Sequence, residues 1–325
     1  MSRIFSGIQP SGELHIGNYL GAVKNWVGVQ SSHESFFCIV DLHAITVSYE
    51  PAQLRERTRA MALTLFAAGL DPERTSVFVQ SAVREHTELQ WIFNTVTPLG
   101  ELERQTQFKE KSARQEQVMA GILNYPVLQA ADILLYRADV VPVGEDQVQH
   151  LELSRVIARN WNARFGAAFF PEPQALLTPT RRIMGLDGQA KMSKSLGNTI
   201  GLMESSDETW AKLRTAMTDP ARVKRTDPGN PDICNIFQLH KAFSSEAAVV
   251  HVDQQCRSAG WGCIDCKKVL HEHMMAELVP IKARARDMAA KPEGLRDALA
   301  TGAAKARAAA SATLAEVRDR MGLAT

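Results

Sequence analysis

The 325-residue sequence has no long apolar run, no excess of either charge, no internal repeat and only five cysteines. Its longest apolar stretches are strand-length or broken by charge, so neither a membrane span nor a signal peptide is expected, and the cytoplasm is the expected compartment. Net charge is +1, from 37 Lys and Arg against 36 Asp and Glu. Binding of a polyanion therefore cannot rest on bulk charge and needs local patches such as Arg181-Arg182, 222–225 and 282–286. No Ser-His-Asp arrangement is tied to a nucleophile elbow, which removes acyl-enzyme chemistry of that kind. The length suffices for one large or two moderate domains with a real core.

What is present begins with an alternation of apolar strands and helices. The short apolar start Ile4-Phe5 and the stretches 36–40, 75–79 and 140–143 read as buried parallel strands, with helices at 51–68 and 85–94 between them. That pattern predicts an α/β fold, a doubly wound parallel sheet of Rossmann-like type, with a helical C-terminal domain. Beyond Ser195 the pattern is helical and charged, with no convincing strand, and ends in an alanine-rich helix over 292–320. The expected divisions are a catalytic domain at 1–190, a mobile loop at 191–198, a helical domain at 199–290 and a final helix at 291–325.

Two short segments carry the chemistry. Near the start, Ser11-Gly12-Glu13-Leu14-His15-Ile16-Gly17-Asn18 reads as a loop running into a helix N-terminus. Backbone N–H groups there favour anions, Gly17 permits close approach to a nucleotide, and His15 and Asn18 add side-chain donors. Past the middle, Lys191-Met192-Ser193-Lys194-Ser195 lies in a polar, glycine-bearing stretch. Its two lysines suit phosphate oxygens whose charge grows as pyrophosphate leaves, and a loop that closes over ATP and reopens would serve them.

Two more segments refine the reading. Gly144-Glu145-Asp146-Gln147 follows the strand 140–143, with Gly144 allowing a tight turn and Glu145 and Asp146 suited to a helix start, to ribose hydroxyls or to Mg²⁺. The stretch Tyr125-Pro126-Val127-Leu128-Gln129-Ala130-Ala131-Asp132 reads as a buried helix with Pro126 in its first turn. Asp132 in such a setting needs a dedicated donor: an arginine, a backbone amide or a ligand N–H. Gln129, three residues earlier, faces the same side.

These segments resemble the tryptophanyl-tRNA synthetases of class I, from Phe5 to about Asn198. The resemblance implies L-tryptophan, ATP, Mg²⁺ and tRNA(Trp) as ligands, and a homodimer. It implies catalytic roles for His15, Asn18, Lys191 and Lys194. ATP would be held by Gln9, Pro10, Ser11, Gly17, Asn18, Gly144, Glu145 and Asp146, with Ile183 by the adenine and Lys191, Met192, Ser193, Lys194 and Ser195 on the phosphates. Asp132 would accept the indole N–H, with Tyr125 and Gln147 on the amino group and Phe5, Val40, Gln129 and Val143 lining the pocket. Lys109 and Lys111, in the basic stretch 104–114, read first as a solvated helix face and otherwise as phosphate or tRNA contacts. Alternatives are a tyrosyl-tRNA synthetase, or a paralogue that binds RNA without catalysis.

Of the cysteines, Cys38 sits in an apolar strand and reads as core. Cys234, Cys256, Cys263 and Cys266 fall in the helical half, where four thiolates in an intracellular enzyme favour a metal centre, Zn²⁺ or a [4Fe–4S] cluster, over disulfides. His251, His271 and His273 are alternative zinc ligands. Some tryptophanyl-tRNA synthetases carry a [4Fe–4S] cluster in this region, so the resemblance implies iron–sulfur, serving as a brace for the helical domain rather than a redox agent.

Overall fold

The computed structural model describes residues 2–112, 117–144, 148–166, 168–177 and 183–324. The chain forms two compact units, one of Met1–Gly12, Trp26–Thr178 and Lys291–Thr325, the other of Glu13–Asn25 and Pro179–Ala290.

The first unit is built on a parallel sheet of five strands: β1 (Arg3–Ile8), β2 (Glu34–Ile39), β3 (Ser76–Val79), β4 (Val140–Val143) and β5 (Gln174–Leu177). Their order is β3-β2-β1-β4-β5, with Phe5 opposite Phe36 and Ile4 opposite Val140. Strands covered by helices on both faces bury both sets of side chains, and Phe36, Phe37, Cys38 and Ile39 are all at most 2% exposed. That continuous burial is what made the strands readable as apolar runs. β5, preceded by Pro171 and Pro173 and only four residues long, was not foreseen. Strand order reverses direction between β1 and β4, and ligands of such sheets bind at the carboxyl ends of the strands there. Gln9, Pro10 and Ser11 leave the end of β1, and Gly144 leaves the end of β4.

The last helix, Pro292–Met321, lies in this unit against β3 and the helix Glu85–Asn94. Gly302, Ala306 and Ala310 recur every fourth residue and are buried on one side. A Cβ placed on Gly302 would stand 2.0 Å from the Val77 carbonyl oxygen, so helix and strand touch backbone to backbone. Proline at its first turn and Gly322 in the left-handed conformation, φ +70°, mark its two ends.

The second unit is helical, with helices Ser206–Thr215, Asn235–Phe243, Glu246–Arg257 and Cys263–Ala289. Ser205 and Glu208 form a reciprocal cap on the first, and Ser245 caps the third. The chain segment Glu13–Asn25 joins this unit through Glu277 of the long helix. Tyr19 donates to Glu277 at 2.7 Å, and Lys24 pairs with it at 2.7 Å.

Candidate active site

The two lysine- and histidine-bearing segments belong to the same unit. His15 precedes the turn Ile16–Asn18 in extended conformation; its Nδ1 accepts the Asn18 N–H at 3.2 Å, while Asn18 Oδ1 accepts the His15 N–H at 3.3 Å. The two side chains thus close the helix start on each other. Since Nδ1 accepts, the ring hydrogen lies on Nε2, which remains as a donor. Burial first, then the charges of Lys194 and Lys191, pull the His15 pKa down to about 4, so the imidazole is neutral near pH 7. A Cβ on Gly17 would sit 2.9 Å from His15 Nδ1 and 3.4 Å from Met192 Cβ, so no larger residue fits between the segments. A short backbone zipper fixes the pairing: Ile16 N–H donates to Ile200 at 2.9 Å and Leu202 N–H to Leu14 at 2.7 Å.

The lysine segment is anchored at its base. Met192 N–H donates to Ile183 at 3.0 Å, and Gly185 N–H to Ala190 at 2.8 Å. Asn198, 6% exposed, accepts the Ser193 N–H at 2.8 Å and donates to Asp187 at 2.9 Å. Met192 is buried, whereas Lys191, Lys194 and Ser195 are exposed, so the loop presents its charges outward on a fixed backbone.

The second group lies in the sheet-bearing unit. Tyr125, Gln129 and Asp132 follow one another at helical spacing on a single face of the helix Ala120–Leu134. That helix begins six residues before Pro126, which therefore sits inside it rather than in its first turn as expected. Asp132 is 1% exposed, and its side-chain donors among the described residues are two histidines and a glutamine. His43 Nε2 donates to Oδ2 at 2.8 Å, while Gln80 Nε2 at 2.6 Å and His86 Nδ1 at 2.7 Å share Oδ1. Burial alone would raise the Asp132 pKa, but the interactions with His43 and His86, their hydrogen bonds first, outweigh it and hold the carboxyl at about 2. A carboxylate offers about four acceptor positions, so three donors leave room for one more.

None of these three donors was singled out from sequence. Their signal was a polar residue just past each apolar strand: His43 after β2, and Gln80 and His86 after β3. Tyr125, whose hydroxyl donates to Gln107 at 2.8 Å and contacts His150 Nε2 at 3.0 Å, stands edge-on to His43 with ring centres 6.3 Å apart. Burial pushes its phenol up to about 12. Phe5, Val40 and Val143 are buried in one hydrophobic cluster of this unit, and Gln129 is half-buried. Glu145, Asp146, Gln147 and Arg181-Arg182 lie outside the described residues, as does the Lys111 side chain.

Residues 1–278 match the family of tRNA synthetases class I (W and Y). The tryptophan--tRNA ligase of Deinococcus radiodurans is 55% identical over 327 residues, covering 99% of each chain, and that of Thermotoga maritima is 44% identical over the same shares. The chain belongs to the class I tryptophanyl-tRNA synthetases. Among solved structures, the tryptophanyl-tRNA synthetase of Campylobacter jejuni complexed with ADP and tryptophane superposes on this synthetase with TM-score 0.88 at 36% identity, covering 99% of this chain and 100% of that one.

In the synthetase's helical unit, Cys234, Cys256, Cys263 and Cys266 line one small cavity with Asp219, Arg222 and Trp261. Cys38, by contrast, is buried in β2. Among the described residues no group of three or more His, Cys, Asp or Glu side chains is placed to hold a metal ion. The four thiols nevertheless shape one another. Burial first, then the charges of the other three, push Cys266 up to about 12, and burial raises Cys234 and Cys256. A Cβ on Gly229 would meet Cys256 Sγ at 2.6 Å, so the backbone makes room for that sulfur. His251 packs edge-on to Trp261 and His271 contacts the Ser206 carbonyl at 3.0 Å, whereas His240, unforeseen, has Nε2 3.4 Å from Cys266 Sγ.

Proposed function

We propose that the chain activates L-tryptophan with ATP and Mg²⁺ to tryptophanyl adenylate and then esterifies tRNA(Trp). The observation that carries this is the neutral His15 beside Lys191 and Lys194 in one unit. The tryptophan carboxylate is ionised at neutral pH and needs no protein base. It attacks the α-phosphorus, and the bond to the bridging oxygen breaks with pyrophosphate taking the electron pair. His15 Nε2–H, Lys191 and Lys194 then stabilise charge that develops on the phosphates, which is positioning and electrostatics throughout. Mg²⁺, when bound with ATP, adds further neutralisation of the phosphates. In the second half a terminal ribose hydroxyl of the tRNA attacks the activated carboxyl and AMP leaves.

Gln9, Pro10, Ser11, Gly17, Asn18, Gly144, Glu145 and Asp146 are assigned to ATP, Ile183 to its adenine, and Met192, Ser193 and Ser195 to its phosphates. Asp132 takes the indole N–H in its remaining acceptor position, with Tyr125, Gln147, Phe5, Val40, Gln129 and Val143 around the side chain. A pocket acceptor left unpaired rejects phenylalanine-like competitors by roughly 10⁴, so no editing domain is required. Residues 199–290 are assigned to the tRNA anticodon, the enzyme to a homodimer, and its location to the cytoplasm.

Cys234, Cys256, Cys263 and Cys266 are assigned to a [4Fe–4S] cluster, with Zn²⁺ as the alternative. Four sulfurs around one cavity, one of them given room by Gly229, support that reading, since four cysteine thiolates are the ligand set of such a cluster. The cluster would supply cross-linking of the helices, since neither half-reaction has a redox step.

Amino-acid-dependent exchange of pyrophosphate into ATP tests the whole. Exchange is expected with tryptophan and not with tyrosine; exchange with tyrosine alone would make the chain a tyrosyl enzyme, and none with any amino acid would make it a non-catalytic paralogue.

A further inference from the structure

Selection of tryptophan by one carboxylate requires that its acceptor position be aimed as well as charged. The donors that aim Asp132 come from three separate elements: His43 from the short helix Asp41–Ala44, Gln80 from the turn Gln80–Ala82, and His86 from the helix Glu85–Asn94. His86 has a partner on its far side as well, with Nε2 2.8 Å from the Tyr136 hydroxyl. An ionised carboxylate can only accept, so the Nδ1 facing Asp132 carries the ring hydrogen. In the neutral ring Nε2 is then an acceptor, and the Tyr136 O–H must donate to it.

Tyr136 has no freedom to do otherwise. It is 0% exposed and stacked between Phe5, at 5.5 Å and 7°, and Phe36, at 4.4 Å and 22°, with Phe78 5.8 Å away. Phe5 is itself one of the residues assigned to the pocket wall. The chain of contacts therefore runs from a ring locked in the core, through an imidazole, to one oxygen of the carboxylate. Oδ1 is filled by Gln80 and His86, and among the described residues Oδ2 has His43 as its single side-chain donor.

We propose that Tyr136 and His86 are positioning residues for tryptophan selection: the Tyr136 hydroxyl anchors the His86 ring from its far side, and His86 with Gln80 saturates Oδ1 so that the open position falls on Oδ2. Neither residue is assigned a contact with the ligand. The proposal rests on the reading of Asp132 as the acceptor of the indole N–H.

Tyr136→Phe tests it, because that change keeps the ring contacts and removes one hydroxyl. The probe is the benzothiophene analogue of tryptophan, in which sulfur replaces the ring N–H, compared with tryptophan in pyrophosphate exchange by the full chain. Wild type should prefer tryptophan strongly in kcat/KM. In Tyr136→Phe the preference should shrink on the order of tenfold, through a higher KM for tryptophan far more than a lower kcat, with the KM for ATP little moved. His86→Asn gives a second reading should Tyr136→Phe fold poorly: its amide keeps a donor beside Oδ1 and loses the link to Tyr136, so discrimination should fall alike. Undiminished preference in either folded variant overturns the positioning role while leaving Asp132 as the acceptor. A wild type that accepts the sulfur analogue as readily as tryptophan overturns the reading of Asp132 and this proposal with it.

Discussion

His15 and Asn18 each use one half of the side chain on the backbone. His15 Nδ1 and Asn18 Oδ1 close a helix start, and that leaves His15 Nε2–H as a donor. Such a histidine has a consequence for stability. Its ordinary value of 6.5 is depressed to about 4 in the folded chain, so the unfolded chain takes up a proton that the folded one refuses as pH falls below 6.5. Stability should therefore drop between pH 6.5 and 4, by about 2 kcal/mol at pH 5. Urea unfolding of wild type and His15→Gln at pH 7 and pH 5 checks this, since the variant should lose less. From sequence the signature residues were legible as chemistry because their types and order are specific. Their mutual capping was not, and neither were His43, Gln80 and His86. Asp132 plainly needed a donor, but which residues meet it across 46 to 89 positions of chain is decided by strand order, which a local pattern does not contain.

Helices and strands were legible where a period was long or burial continuous. The helix Glu85–Asn94, four of the five strands and the final alanine-rich helix all appear near their expected bounds. β5 was hidden by brevity and the prolines before it, and the start of the helix Ala120–Leu134 by a proline that its second turn tolerates. What composition could not say is why the last helix is so rich in alanine. Intrinsic propensity alone would favour Gly302→Ala by about 1 kcal/mol. The Val77 oxygen 2.0 Å from the new Cβ reverses that, and overpacking of this kind costs about 1–3 kcal/mol. Gly302→Ala should thus destabilise the chain, whereas Gly294→Ala in the same helix, with nothing within 4 Å, should stabilise it by about 0.5–1 kcal/mol. Thermal or urea unfolding of the two variants distinguishes propensity from packing.

At the scale of the whole molecule, a sheet-bearing unit and a helical unit were both legible, because apolar runs and charged helical periods occupy different parts of the sequence. Their composition was less so: Glu13–Asn25 is built into the helical unit and Lys291–Thr325 into the sheet-bearing one. Pyrophosphate exchange concerns only adenylate formation, whereas iron content and visible absorbance follow the four cysteines directly, which gives the cluster proposal its own readout. Anaerobically purified chain should hold iron and acid-labile sulfide and absorb broadly in the visible. Replacing Cys256 by Ser should remove the colour and lower the melting temperature, with less effect on exchange than on tRNA charging. Zinc without iron would favour the alternative, and a metal-free chain of unchanged stability would remove the centre altogether.

The backbone contact between Gly302 and β3 also orders events during synthesis. The helical unit is complete once Ala290 has left the ribosome, and it can close while translation continues. The face of β3 stays uncovered longer, because the helix that packs on it, Pro292–Met321, follows the helical unit in the sequence. A nascent chain thus carries an uncovered apolar strand until residues 292–321 have been made.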